Sequence, residues 1–410
     1  MRRKLKMKCR ICSKEIDNYV FSLGNQPVSN EYIEGSCDNE KTYPLDLFFC
    51  EDCTLLQIDE VVPAEKIFST DYPYMSSCSK TWLDHCEAYT NYMIDRFNIG
   101  KDSLIMEIAS NDGCLLKNFV DRGYTVKGVE PSAGVADIAI ANGVDTDKEF
   151  CNPDYMRQYI ELNKKPHLII ANNVIAHNPA VVEFVGSISS LLGEGGIFTV
   201  EFPHLYNLIK LKQFDTIYHE HYSYFTLCSM RILLEKCGLT IFDVQELPTH
   251  GGSLRVFAKH KFDDAHAVDY KAIERITDKE RDLGLYRTEA YKSFSEDIKD
   301  IGTKTMDFLK EQKRDGKRVV GYGAPAKGNT FLNYCGINSE LIEYTVDRSE
   351  YKVGKKLPGS HVPIYSVDRI LEDNPDFIFI LPWNIKKEIV TLLGKDKAKF
   401  VTAIPELEIV

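Results

Sequence analysis

Positive charge is in short supply. The 410-residue chain carries 50 Lys and Arg against 61 Asp and Glu, a net charge of −11. A net anion repels phosphate backbones, so broad nucleic-acid binding is disfavoured, although a local basic pocket is not. Long apolar runs are missing as well. No stretch of 18 apolar residues occurs, so neither a membrane-spanning helix nor a membrane partner is expected. The basic start MRRKLKMKCR has no apolar h-region behind it, so it does not read as a secretory signal and a cytoplasmic location is expected. Internal repeats and low-complexity tracts are also lacking, which excludes solenoids and disordered linkers.

What is present is enough apolar material, 44%, for two or three domains at roughly 150 residues each. Twelve cysteines stand out. In a reducing compartment paired cysteines hold metal more often than they form disulfides. Cys9-x2-Cys12 and Cys50-x2-Cys53 are two such pairs. Four thiolates on two tight turns suit tetrahedral Zn²⁺ and leave no open position, so the metal is expected to be structural. The other cysteines read as small buried apolar residues.

The chain divides into three segments. Residues 1–70 read as a zinc-binding lobe of short strands and turns. Residues 71–262 alternate strand candidates (SLIMEIA, TVKGVE, HLIIANNV, GIFTVEF, LTIFDVQEL, SLRVFAKH) with helical runs. That alternation predicts an α/β, Rossmann-like parallel sheet covered on both faces. The last two strands are joined by a turn containing Gly251-Gly252, too short for a helix, so that pair should be antiparallel. Residues 263–410 begin with a charged helical stretch to about residue 315, expected to bridge two lobes. A second Rossmann-like doubly wound unit follows (KRVVGYGA, IEYTVD, FIFIL, KFVTAIP).

The candidate site residues lie at strand ends. The first strand carries Glu107 and runs into Ala109-Ser110-Asn111-Asp112-Gly113, and a helix follows. A strand, tight turn and helix N-terminus form a nucleotide crevice, but this turn lacks the G-x-G-x-x-G of a dinucleotide site. The second strand ends in Glu130-Pro131, with an acid placed for ribose hydroxyls. Two acids and no phosphate cradle suit S-adenosylmethionine (SAM) better than NAD; solvated strand-end acids are the alternative. Asn172, Asn173 and His177 end another strand and point towards the same crevice.

Tyr218-His219-Glu220-His221-Tyr222-Ser223-Tyr224-Phe225 is the densest chemical segment. Its His-Glu-His could ligate a metal, but residues one and two apart do not share a helical face. Acid–base work fits better: His titrates near neutrality, Glu can tune it, and Tyr can donate to an oxyanion. An aromatic packing loop is the plainer alternative. Near the C-terminus, Gly321-Tyr322-Gly323-Ala324-Pro325-Ala326-Lys327-Gly328-Asn329-Thr330 reads as an anion cradle with Lys327 as a point charge, or as a vestigial cofactor turn. Asp347-Arg348 ends the next strand.

In this order the paired CxxC motifs, E-x-x-SNDG, GVEPS, NNVIAH, EFPHL, YHEHYSYF, HGGSLRV and GYGAPAKGNT resemble the three-domain SAM-dependent sugar C-methyltransferases. The match runs over nearly the whole chain. Ala109, where that family usually has Gly, and APAKG are departures. The resemblance implies methylation at C3 of a nucleotide-diphosphate-linked 4-keto-6-deoxysugar, by a monomer. It implies His221 as catalytic base, aided by Glu220 and Tyr218, with His177 and Tyr72 nearby. It also implies Asp347 and Arg348, with Tyr222 and Asn329, as contacts to a nucleotide-bearing substrate. Deprotonation beside the keto group would give an enolate that takes the methyl group in line. Two other functions fit parts of the chain: an NAD(P)-dependent nucleotide-sugar oxidoreductase using the C-terminal turn, and a non-catalytic zinc-ribbon binding protein.

Overall fold

The computed structural model describes residues 7–59, 62–63, 75–394 and 396–410. Tyr72 lies outside the described residues.

The first lobe contains a small hairpin, β1 (Met7–Lys8) with β2 (Glu15–Ile16), and three longer strands. These are β3 (Tyr19–Gln26), β4 (Tyr43–Cys50) and β5 (Leu55–Ile58), paired antiparallel. The two cysteine pairs sit on the turn after β1 and on the turn between β4 and β5.

The central sheet has seven strands. β6 (Leu104–Ile108), β7 (Thr125–Val129), β8 (Thr146–Asp147), β9 (Leu168–Asn172) and β10 (Ile197–Pro203) are parallel. All five residues of β6 are buried, as a parallel strand covered on both faces requires. Between β10 and β12 the chain makes one further short strand, β11 (Ser223–Tyr224). Strands β12 (Leu239–Leu247) and β13 (Ser253–His260) pair antiparallel across the glycine turn, as expected. The sheet order is β12-β13-β10-β9-β6-β7-β8, so β13 is an antiparallel insert. β8 is too short to leave a pattern in the sequence.

β11 comes from the YHEHYSYF segment and joins the other lobe, pairing antiparallel with β5. The histidine segment is therefore an edge strand of the zinc-binding lobe as well as a loop of the central one.

The charged stretch after β13 is two helices, Tyr270–Asp282 and Thr288–Arg314, rather than one. Gly284, with φ 77°, turns the chain between them, a conformation glycine adopts without a Cβ clash. The second helix does bridge lobes. Its Phe294 meets Phe21 with ring centroids 5.4 Å apart, Tyr291 meets Phe49 at 4.6 Å, and Phe308 meets Phe377 at 5.3 Å.

The C-terminal sheet has the order β16-β15-β14-β17-β18-β19. Its strands are β14 (Val319–Tyr322), β15 (Thr345–Val346), β16 (Ile364–Tyr365), β17 (Phe377–Ile380), β18 (Lys399–Thr402) and β19 (Glu408–Ile409). All pairs are parallel except β18 with β19. Among the described residues no helix is long and apolar enough to cross a membrane. Of the scattered cysteines, Cys86 is buried, whereas Cys37, Cys114, Cys151, Cys228, Cys237 and Cys335 are only half-buried.

Candidate active site

The four paired cysteines converge. The sulfurs of Cys9, Cys12, Cys50 and Cys53 all lie within 4.8 Å of one another. Cys12 and Cys50 are 3.8 Å apart. A tetrahedron with metal–sulfur bonds of about 2.3 Å has edges of about 3.8 Å, so the cage fits Zn²⁺. Three of the four residues are buried, which closes the site to substrate.

The crevice at the carboxyl ends of β6, β7 and β9 is built on strained backbone. Ala109, Asn111 and Gly113 all have positive φ, 54°, 50° and 75°. A left-handed Ala costs about 1–2 kcal/mol, a cost glycine would avoid. The sequence places Glu130, Asn111 and Asp112 as cofactor contacts, yet their side chains are engaged within the protein. Glu130 accepts the N–H groups of Asn111 (2.9 Å) and Ser132 (2.8 Å). Asn111 Oδ1 accepts the N–H of Ser76, and Asp112 Oδ2 that of Ser77, each at 2.9 Å. These bonds fix the turn and dock the segment that starts helix Lys80–Phe97. Ala109 and Gly113 bring only backbone to the crevice, and Pro131 is half-buried beside Glu130.

Other polar atoms there have no partner among the described residues: Glu107 Oε2, Ser110 Oγ, both side-chain polar atoms of Asn172, and Asn173 Oδ1. Buried orphans of this kind are rare and call for a ligand or water. Burial holds the Glu107 carboxyl well above the ordinary range. An arriving cation would return it to the carboxylate. An acid and a carboxamide, with donors and acceptors to spare and no phosphate cradle, fit the sulfonium, amino group and hydroxyls of SAM.

The histidines lie just beyond. Tyr222 N–H bonds to the Ala176 carbonyl (2.8 Å), which docks the YHEHYSYF loop on the turn carrying His177. The rings of His177 and His221 are 4.7 Å apart. His221 Nδ1 is 2.9 Å from the Thr216 carbonyl, and its Nε2 is 3.0 Å from the Tyr218 hydroxyl. A carbonyl only accepts, so Nδ1 carries the proton and Nε2 keeps its lone pair. His177 Nδ1 donates likewise to the Glu220 carbonyl at 2.7 Å. Burial keeps both rings neutral, pushing His177 down to about 4 and His221 well below its ordinary value.

Glu220 departs from the expected arrangement. Its carboxylate accepts from the N–H and the amide of Asn30, each at 3.2 Å, and burial raises it to about 7. It reaches His177 through its backbone carbonyl. Tyr222 also points elsewhere: its hydroxyl donates to the Val62 carbonyl (3.2 Å) and Arg10 lies over its ring. Thr216 and Asn30, both essential to this geometry, carry no sequence signal.

The three domain-sized units match three family models: a zinc binding domain over residues 9–68, a methyltransferase domain over 86–244, and a C-methyltransferase C-terminal domain over 248–405. The C-methyltransferase NovU of Streptomyces niveus is 31% identical over 407 residues, 98% of this chain and 96% of NovU. The chain belongs to the C-methyltransferase family. Solved structures overlap a smaller part of it. A SAM-dependent methyltransferase from Clostridium acetobutylicum is 13% identical, with a TM-score of 0.35 over 43% of this chain and 92% of its own. Magnesium protoporphyrin IX methyltransferase from Synechocystis, with bound SAM, is 15% identical, with a TM-score of 0.34 over 43% and 78%.

In this C-methyltransferase the C-terminal glycine turn is not an open cradle. A Cβ on Gly323 would lie 2.5 Å from Pro382, one on Gly328 3.0 Å from Leu381, and one on Gly321 2.7 Å from Thr345. The glycines serve packing within the lobe. Asp347 accepts the N–H groups of Ala324 (2.7 Å) and Ser349 (2.9 Å). Asn329 Nδ2 donates to the Ser29 carbonyl at 2.6 Å. Both hold lobes and turns together, contrary to the expected substrate contacts. Arg348 is exposed, 3.4 Å from Glu388. Lys327 faces inward, its amine over the Trp383 ring at 4.6 Å, and burial lowers it to about 8.

Proposed function

We propose that this C-methyltransferase transfers a methyl group from SAM to C3 of a nucleotide-linked 4-keto-6-deoxysugar, with His221 as base. The observation that carries the reading is the unprotonated Nε2 of a buried, neutral His221, its Nδ1–H held by the Thr216 carbonyl and its lone pair accepting from the Tyr218 hydroxyl, with His177 alongside. Carbon is a poor nucleophile until deprotonated, and a neighbouring keto group makes the C3–H acidic. His221 Nε2 takes that proton, and the electron pair passes into the enolate. Once Nε2 carries that proton it no longer accepts from the Tyr218 hydroxyl, which is then the donor placed to steady the oxyanion, an interaction worth about 3 kcal/mol. When bound, SAM supplies an electrophilic methyl group. Glu107, Asn172 and Asn173 are the residues that would hold it, with Ala109, Gly113 and Pro131 shaping the turn. Asn111, Asp112 and Glu130 act one step back, by fixing that turn. Lys327 and Arg348 are the cations offered to the substrate diphosphate. The carbon-methylating reading also draws support from the family relationship with the C-methyltransferase NovU.

The test is incubation with SAM and a panel of nucleotide-linked 4-keto-6-deoxysugars, followed by mass spectrometry. A gain of one methylene on a panel member supports the proposal, together with exchange of the C3 hydrogen with solvent deuterium. Products from none of them, in a protein that binds SAM, would overturn the substrate class.

A further inference from the structure

The residue that fixes the His221 tautomer sits at a junction between lobes. Thr216, whose carbonyl accepts from His221 Nδ1 at 2.9 Å, ends the short turn Phe214–Thr216. The residue before it, Asp215, is buried, and its Oδ2 accepts from Trp383 Nε1 at 2.6 Å. Trp383 belongs to the C-terminal lobe, immediately after β17 and Pro382.

Further contacts make this a tight insertion. A Cβ on Gly251 would lie 2.5 Å from the Trp383 ring, so the central lobe leaves that space for the indole. Gln213 donates through Nε2 to the Gly251 carbonyl at 2.7 Å, and its own carbonyl accepts from Thr216 Oγ1 at 2.7 Å. Lys327, also from the C-terminal lobe, lies over the same ring. Phe214, on the same turn, packs against Phe331 and Tyr334 of that lobe with centroids 5.7 and 4.9 Å apart. Among the described residues, the element of the central lobe that meets the His221 imidazole at Nδ1 is thus held from the C-terminal lobe.

We infer that Trp383, through Asp215, is a positioning residue that sets the Thr216 carbonyl and with it the productive tautomer of His221. The inference rests on His221 being the base. It assigns the C-terminal lobe a second task besides substrate binding: the base is correctly oriented only when that lobe is seated. The hydrogen on one imidazole nitrogen is dictated by the bond the other makes, and a histidine in the wrong tautomer is catalytically unproductive.

The test uses the full chain with its metal. Trp383→Phe removes the N–H donor but keeps an aromatic ring in the slot. Imidazole nitrogen–proton NMR correlations, assigned with a His221→Gln variant, report the His221 tautomer without any substrate. The Nδ1-protonated form should dominate in the native enzyme and give way to a mixture in Trp383→Phe. Methylation kcat should fall at least about tenfold, with SAM affinity unchanged. Asp215→Asn, which retains an acceptor for Trp383, should restore most of both signals relative to Asp215→Ala. A folded Trp383→Phe with the native tautomer would overturn the inference. The NMR result decides it even where no sugar in the panel is methylated, an outcome that counts against the substrate class alone.

Discussion

Replacing His221 with Asn tests the chemistry most directly. The structure gives the ring three functions: a donor to Thr216 at 2.9 Å, an acceptor for Tyr218 at 3.0 Å, and contact with the His177 ring. Asn keeps an N–H at the Nδ1 position for the Thr216 carbonyl, but it is too short to put an acceptor at the Nε2 position and its amide does not take up a proton near neutral pH. The loss is therefore that of the base, with the Thr216 contact retained. A positioned general base contributes about 10²–10⁴-fold, equal to about 3–5 kcal/mol of barrier. His221→Asn should lower kcat by that factor while calorimetry returns the native SAM affinity. Solvent deuterium should no longer enter C3. A variant within threefold of the native rate, or one that still exchanges that hydrogen, would refute His221 as the base.

Tyr218→Phe should cost kcat about 10²–10³-fold if the hydroxyl serves the oxyanion, read as a fall in kcat with little change in KM; an unaltered kcat contradicts that role. The acid limb of kcat/KM should lie below pH 6.5. His221 is held below its ordinary value and is proton-accepting above that lowered pKa, so activity is lost only as pH falls through it; a limb near pH 7 in the rate profile contradicts this. Cys50→Ser should abolish stoichiometric zinc by atomic absorption and lower the melting temperature, because structural zinc is worth more than a small lobe's own stability. Native metal content in the variant counts against the cage. Arg255→Met should destabilise the chain by about 3–5 kcal/mol in urea titrations. It leaves the fully buried Glu201, which Arg255 contacts through Nε at 2.6 Å, with only the His85 imidazole at 2.9 Å as a side-chain partner among the described residues; a change below about 1 kcal/mol contradicts the pairing.

Local spacing made the outline of this enzyme legible. Two CxxC turns identify a four-sulfur cage, and alternating apolar runs identify two wound sheets. The Gly251-Gly252 turn leaves no room for a helix, so β12 and β13 had to be antiparallel. Acids and amides at strand ends mark the crevice, because consecutive parallel strands all present their carboxyl ends to one edge. These features are decided within ten or twenty residues, by backbone sterics and the period of burial. Which polar group meets which could not be read this way. Glu220 lies beside His221 in the chain, yet its carboxylate turns to Asn30 in another lobe. Glu130 and Asp347 look like ligand contacts, yet each binds a backbone amide of the turn that follows a neighbouring strand. Thr216, Asp215 and Trp383 matter only because the packing of three lobes brings positions more than 160 residues apart within hydrogen-bond reach, with Trp383 and Asp215 separated by 168. Hydrogen-bond partners between distant segments depend on how lobes dock. That docking is set by the summed burial of side chains from all of them, and no single stretch of sequence encodes it.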